Sequence, residues 1–181
     1  MRKTVLIPIA NGSEEIEIIG IADVLRRAGA EVTLAAVEDQ LQIVASRGIK
    51  IVADKLLASC TENTYDLIAL PGGMQGAENL RDCAALIAML KQQQQANRLY
   101  AAICASPVVV LQHHKLLINK KATAHPSLMP KLKNKENVRV LVDQNCITSQ
   151  GPGTTLEFAL KLVEILFDKE RARQIAKAMV C

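Results

Sequence analysis

Leu99-Tyr100-Ala101-Ala102-Ile103-Cys104-Ala105-Ser106-Pro107 is an apolar run that stops at a thiol. Small residues and a proline follow it, before the next apolar stretch, Val108 to Leu111. This is the pattern of a buried strand that turns sharply into a helix. A side chain on such a turn is pushed out of the sheet, beside the unpaired amides of the incoming helix. Those amides and the helix dipole favour a thiolate over a thiol, so Cys104 reads as a candidate low-pKa nucleophile. The alternative reading is an inert packing cysteine at a strand end.

Similar runs recur on either side of this segment. Val5–Ala10, Val32–Val37, Leu67–Leu70 and Ile147–Ser149 read with Leu99–Ile103 as buried strands. Helical spacing lies between them. Ile16, Ile19, Val24, Leu25 and Ala28 predict one helix face ending at Gly29. Leu86, Ile87, Met89 and Leu90 predict a second, with Gln92–Gln95 as its exposed continuation. Leu156, Ala159, Leu160, Val163, Ile165 and Leu166 predict a third, and Ile175, Ala176 and Met179 a closing helix. Strands alternating with helices imply right-handed crossovers, hence an α/β domain with a mostly parallel sheet covered on both faces. Gln42–Ala53 differs, because two short β-like runs flank Ser46-Arg47-Gly48, which reads as a hairpin or edge excursion. No linker or repeat interrupts the chain, so residues 1–181 are read as a single domain.

Composition narrows the function classes. Half of the 181 residues are hydrophobic but only 2% are aromatic, so aliphatic packing carries the core. Lys plus Arg number 22 against 18 Asp plus Glu, a formal charge of +4. With so few aromatics to stack on bases, a nucleic-acid reader is disfavoured. The cluster Lys131, Lys133 and Lys135 reads as a solvated surface segment, with weak anion binding as the alternative. No apolar run has the length of a bilayer span, and Met1-Arg2-Lys3 leads directly into a strand-like run without room for a signal peptide. No membrane partner and a cytoplasmic location are therefore expected. Cys60, Cys83, Cys104, Cys146 and Cys181 lack zinc or redox spacing and read as free thiols in a reducing compartment. His113 and His114 are adjacent and cannot share a helix face as a metal pair; they are expected where a helix ends, and no metal site is expected.

In an open α/β sheet, reactive groups collect beyond the carboxyl ends of the strands. Asn11–Glu17, Pro71-Gly72-Gly73 and Cys104 all fall at such ends. Ser13 reads as a helix cap, with Glu14 and Glu15 offsetting the dipole in the first turn. Glu17 sits at the edge between apolar and polar faces. A carboxyl shielded there has a raised pKa and, once protonated, can donate a hydrogen bond to a thiolate. Two glycines let backbone amides approach a ligand, so the Gly73 and Ala105 amides are natural oxyanion donors; a plain tight turn is the alternative. His125, held extended before Pro126 after a strand-like Ala122–Ala124, is a candidate base or orienting group, or a loop histidine without a role. Gly151-Pro152-Gly153 reads first as a rigid turn before a helix.

Together, Gly12-Ser13-Glu14-Glu15-Ile16-Glu17, Leu70-Pro71-Gly72-Gly73, Ala101 to Pro107, Thr123-Ala124-His125-Pro126 and Thr148 to Thr154 resemble the ThiJ/PfpI superfamily across essentially the whole chain. The branch they resemble is that of the parkinsonism-associated deglycase and its bacterial relatives. The resemblance implies a flavodoxin-like α/β sandwich, a homodimer, and a reactive cysteine at a strained elbow. Carried over by motif, Cys104 is the nucleophile, Glu17 the protonated carboxyl, Gly73 and Ala105 the oxyanion donors, and His125 the nearby histidine. Arg27, Arg47 and Pro152 match residues near the site or the dimer interface. The implied activity is a cofactor-free, glutathione-independent glyoxalase or deglycase, acting on small 2-oxoaldehydes or glycated protein side chains and yielding 2-hydroxy acids. The alternative is an oxidative-stress sensor or redox-regulated chaperone acting through oxidation of Cys104. Ala105 stands where the protease-like branch has a histidine, which disfavours peptidase activity.

Overall fold

The computed structural model describes residues 2–181. Five parallel strands form the centre of its main sheet: β1 (Thr4–Ile9), β2 (Glu31–Ala36), β6 (Leu67–Leu70), β7 (Leu99–Ile103) and β9 (Cys146–Ser149). They include every strand expected from the apolar runs, with ends moved by at most one residue. The full order is β5-β2-β1-β6-β7-β9-β8. The two outer strands, β5 (Lys55–Leu56) and β8 (Val140–Asp143), carry no strong sequence signal; β8 alone is antiparallel, pairing with β9. The central order is that of flavodoxin-like folds, in which the chain reverses direction across the sheet between β1 and β6.

Strand side chains alternate between the two faces. Val5, Ile7 and Ile9 of β1, with Ala101 and Ile103 of β7, pack against α1 (Glu15–Arg27), α4 (Thr155–Leu166) and α5 (Lys169–Ala178). Leu6 of β1 and Tyr100 and Ala102 of β7 face α2 (Met74–Asp82), α3 (Ala84–Gln95) and the short wide-turn helix Pro107–Gln112. The expected two-sided sandwich is therefore present. The 42–53 excursion is an antiparallel hairpin of β3 (Gln42–Val44) and β4 (Lys50–Val52), outside the main sheet. Ala122–Ala124 is not a strand, since only Ala122 forms an isolated bridge, with Lys135. His113 caps the end of the Pro107–Gln112 helix, as the histidine pair predicts.

The first helix departs from its expected face. Ile16 and Ile19 are 57% and 50% exposed, while Glu15, Glu17, Ile18, Ile21, Val24 and Leu25 are buried. Ser13 does not cap it either. Its Oγ accepts from the Ala10 amide at 3.1 Å, and Glu14 occupies the cap position without its side chain bonding the helix amides. Glu14 and Glu15 are buried rather than solvated; each carboxylate lies 2.7 Å from the Ser46 hydroxyl in the hairpin turn. The Arg47 amide also donates to Glu15 Oε1 at 2.9 Å. Burial opposes ionisation of Glu15, but these hydrogen bonds outweigh it and lower its pKa. The acidic first turn thus fastens the hairpin to α1. No helix among the described residues is long and apolar enough to cross a membrane.

Candidate active site

Three loops meet beyond the carboxyl ends of β1, β6 and β7, on both sides of the point where strand order reverses. Their approach requires glycine at two adjacent positions. Gly73 has φ +81°, and a Cβ on it would lie 2.8 Å from the Glu14 nitrogen. A Cβ on Gly72 would lie 2.5 Å from Cys104 Cβ and 2.9 Å from Glu17 Oε2. The Glu14 amide donates to the Gly72 carbonyl at 3.0 Å, stitching the start of α1 to the 71–73 turn.

Cys104 has φ +65°, a left-handed conformation that L side chains rarely adopt. Its neighbours hold it there. The Cys104 amide donates to the Ser149 carbonyl at 3.0 Å, and its carbonyl accepts from the His125 amide at 2.9 Å. The buried Ser106 hydroxyl donates to the Pro71 carbonyl at 2.5 Å, tying the two turns together. The expected elbow is present, with a half-buried thiol whose ionisation the Gly73 and Ala105 amides favour.

Glu17 is fully buried. The Gly72 amide donates to its Oε2 at 2.6 Å, while Oε1 has no partner of hydrogen-bonding geometry among the described residues. Its Oε2 and the Cys104 Cβ flank one point, 2.9 and 2.5 Å from where a Cβ on Gly72 would stand. Burial raises Glu17 to about 7, against the lowering effect of the Gly72 and Cys104 contacts. A raised carboxyl here is as expected.

A depressed thiol is not what the surroundings give. Burial pushes Cys104 up to about 12, and the negative charge of ionised Glu17 adds to the rise; the Gly73 and Ala105 amides pull the other way. The sulfur lies within the cleft rather than at an open helix end, so desolvation outweighs the dipole. The two groups compete for protons and ionise as a coupled pair. Once Glu17 is neutral its repulsion is gone, and its O–H is available to the sulfur. A thiolate in this site therefore belongs with a protonated Glu17.

The remaining candidates are placed unevenly. The backbone of His125 touches Cys104, but its ring is held by Ser127, whose hydroxyl lies 2.8 Å from Nδ1. A Cβ on Gly151 would lie 3.4 Å from His125 Cδ2 and 4.0 Å from the Cys104 sulfur, so the absent side chain leaves room beside the thiol. Pro152 lines a hollow of about 200 Å³ with His125, Gly151, Arg139 and Gln150. Arg139 was not legible as a site residue. It reaches this hollow from the turn before β8, where its guanidinium bonds Glu157 at 2.6 Å and the Gly153 carbonyl at 3.0 Å. Arg27 lies at the far end of α1, paired with Asp23 at 2.7 Å, and Arg47 is exposed in the hairpin turn; neither reaches the thiol within this chain. Among the described residues no three His, Cys, Asp or Glu side chains are grouped to hold a metal ion.

Residues 3–165 match the DJ-1/PfpI family model. "Protein DJ-1 homolog B" of Arabidopsis thaliana is 52% identical over 176 residues, covering 96% of this chain and 40% of that protein. The chain spans less than half the length of both Arabidopsis homologues it matches. A Caenorhabditis elegans relative, "Glutathione-independent glyoxalase DJR-1.2", is 34% identical and is covered over 90% of its length, as is 92% of this chain. The solved structure of oxidized Toxoplasma gondii DJ-1 superposes with a TM-score of 0.97 at 50% identity, with 98% of each chain covered.

Proposed function

This chain belongs to the DJ-1/PfpI family, and from that membership and the site geometry we propose that it is a glutathione-independent glyoxalase of small 2-oxoaldehydes. The observation that carries this reading is the close approach of Glu17 and Cys104 across Gly72, with the Gly73 and Ala105 amides favouring the thiolate.

The chemistry follows from the groups present. The Cys104 thiolate adds to the aldehyde carbon of methylglyoxal, forming a C–S bond and a hemithioacetal oxyanion that the two amides stabilise. That oxygen takes up the proton carried by Glu17, which leaves Glu17 as a carboxylate. Glu17, in its carboxylate form, then removes the proton from the former aldehyde carbon. The resulting enediol is reprotonated at the neighbouring carbon, leaving a thioester on Cys104. Water adds to the thioester carbonyl, the C–S bond breaks, and lactate leaves with the thiolate restored. The net reaction is methylglyoxal plus water to lactate, with no external oxidant or reductant. A carboxyl with a pKa of about 7 holds and gives up a proton with comparable ease, as a group that must do both requires. Early adducts of 2-oxoaldehydes on protein side chains are the second substrate class, with the same thiol attacking the adduct carbonyl.

A redox-sensor role through oxidation of Cys104 is the competing reading, favoured by the partial exposure of the thiol and by an adjacent carboxyl able to hold a sulfinate. Glu17→Ala separates the two. Under the glyoxalase reading it lowers methylglyoxal turnover by at least roughly a hundredfold, the lower range for loss of a proton-transfer group, while peroxide still oxidises Cys104. If turnover persists near the wild-type rate in Glu17→Ala, the glyoxalase reading is wrong.

A second copy of the chain is proposed as partner. Ile16 and Ile19 on α1, Val44, Ile49 and Val52 in the hairpin and Leu156 at the start of α4 are all large, apolar and exposed, and Gly20 brings α1 directly against Thr155 and Leu156. Arg27 lies on α1 and Arg47 in the hairpin turn, the elements that carry most of these residues. Sedimentation of a monomer at micromolar concentration contradicts the assignment.

A further inference from the structure

We propose that the hollow between segments 112–120 and 132–134 binds a small organic anion with an apolar body, a medium-chain carboxylate being the model ligand. This inference is independent of the glyoxalase reading and uses none of the residues around Cys104.

The hollow has a volume of about 290 Å³ and is lined by Lys115, Lys120 and Lys133 together with Leu117, Ile118 and Leu132, with no acidic residue in its wall. Lys120 is the unusual member, at only 5% exposed. Its ammonium donates to Gln144 Oε1 at 2.7 Å and to Asn145 Oδ1 at 2.9 Å. Both acceptors are neutral amides, so two of three N–H groups are satisfied and the charge itself is not neutralised. Asp143, the adjoining acid, instead accepts from the Lys121 amide at 2.6 Å. Among the described residues none of the three cavity lysines forms an ion pair. Burying a cation without a counter-charge is unfavourable, and two further cations at the rim add like-charge repulsion. An anion in the hollow relieves both.

The walls are fixed rather than loosely apposed. Gln112 spans the gap, donating from Nε2 to the Lys131 carbonyl at 2.8 Å and accepting from the Lys133 amide at Oε1, also at 2.8 Å. The Ala122 amide bonds the Asn134 carbonyl at 3.0 Å. In the same wall, Leu132 is buried with Ala122 and Ala124, and Leu117 packs against that cluster. Cationic and aliphatic residues side by side select a ligand with an acidic head and a hydrocarbon tail. The volume lies at the small end of the roughly 300–1,000 Å³ of ligand sites, which favours a single short chain.

The test is a titration of the full chain with sodium octanoate, octan-1-ol and inorganic phosphate, followed by calorimetry and by amide chemical shifts. Saturable octanoate binding is expected, with shifts at Leu117, Lys120 and Leu132. Octanol and phosphate should each bind roughly tenfold or more weakly, about 1.4 kcal/mol less favourably. Lys120→Met should weaken octanoate by at least the same factor. Because that variant also breaks bonds to Gln144 and Asn145, the surface double variant Lys115→Gln/Lys133→Gln is measured beside it. It should weaken octanoate several-fold at unchanged Tm. Absence of saturation at millimolar octanoate, equal binding of octanol, shifts confined to the Cys104 loops, or undiminished affinity in the double variant each overturns the proposal.

Discussion

Glu17 Oε2 accepts a 2.6 Å hydrogen bond from the Gly72 amide, while its buried Oε1 has no hydrogen-bond partner among the described residues. One oxygen is thereby fixed as an acceptor and the other is free to carry a proton. An ionised carboxylate would leave a charged, buried oxygen unsatisfied, which favours the neutral acid. The backbone of the 71–73 turn thus sets which oxygen is protonated.

This arrangement ties stability to pH. Glu17 titrates at about 7 in the folded chain against an ordinary value of 4.5. Between those values the folded state holds a proton that the unfolded chain has released, so stability falls as pH rises through the window. At 1.36 kcal/mol per pKa unit the fall amounts to about 3 kcal/mol. Glu17→Gln keeps an acceptor for Gly72 and cannot ionise. Its stability relative to wild type, measured by urea unfolding, should climb from pH 4.5 to pH 7 and then level off. Parallel curves for the two proteins contradict a raised Glu17.

Gly72→Ala tests the closeness of the loops. The new Cβ would sit 2.5 Å from Cys104 Cβ and 3.0 Å from the Ile103 carbonyl oxygen, so the turn or the elbow must shift. The expected cost is about 1–3 kcal/mol of stability, the range for overpacking. Turnover should fall at least tenfold as Glu17 and the thiol separate. Unfolding and turnover both indistinguishable from wild type would show that the loops are not in contact.

Gly151→Ala separates access from folding. Its Cβ makes only ordinary contacts, 3.4 Å to His125 Cδ2 and 4.0 Å to the sulfur, and its backbone is extended rather than left-handed. Tm should stay close to wild type while alkylation of Cys104 by iodoacetamide slows, because the added methyl covers the thiol. Unchanged alkylation would place the solvent approach elsewhere.

Legibility in the sequence followed the strength of the local signal. The central strands are continuous aliphatic runs, buried on both faces, and were readable almost to the residue. β8 was not, because at the sheet edge Val140–Asp143 is only half-buried and ends on a charge. α2 escaped for a similar reason, with only Gly76, Ala77 and Leu80 buried. The site was readable where one residue type is demanded: glycine where loops collide, cysteine at the strand end and an acid in the first turn of α1. The first helix misled because periodicity assumes that isoleucine points inward. Here Ile16 and Ile19 point outward and Glu17 inward, an inversion invisible without the position of Gly72 and Cys104. The thiol pKa was misjudged because the sequence shows a helix start beside Cys104 but not the depth of the cleft. Arg139 gave no signal, since a lone arginine before an edge strand is ordinary until the fold carries it to the Gly151 turn.

Production of lactate from methylglyoxal by fully reduced, chelator-treated protein in the absence of glutathione or any added thiol tests the central claim most directly. The account predicts many equivalents of lactate per chain, abolished in Cys104→Ser. No lactate beyond the spontaneous rate, or an equal yield from Cys104→Ser, would contradict it.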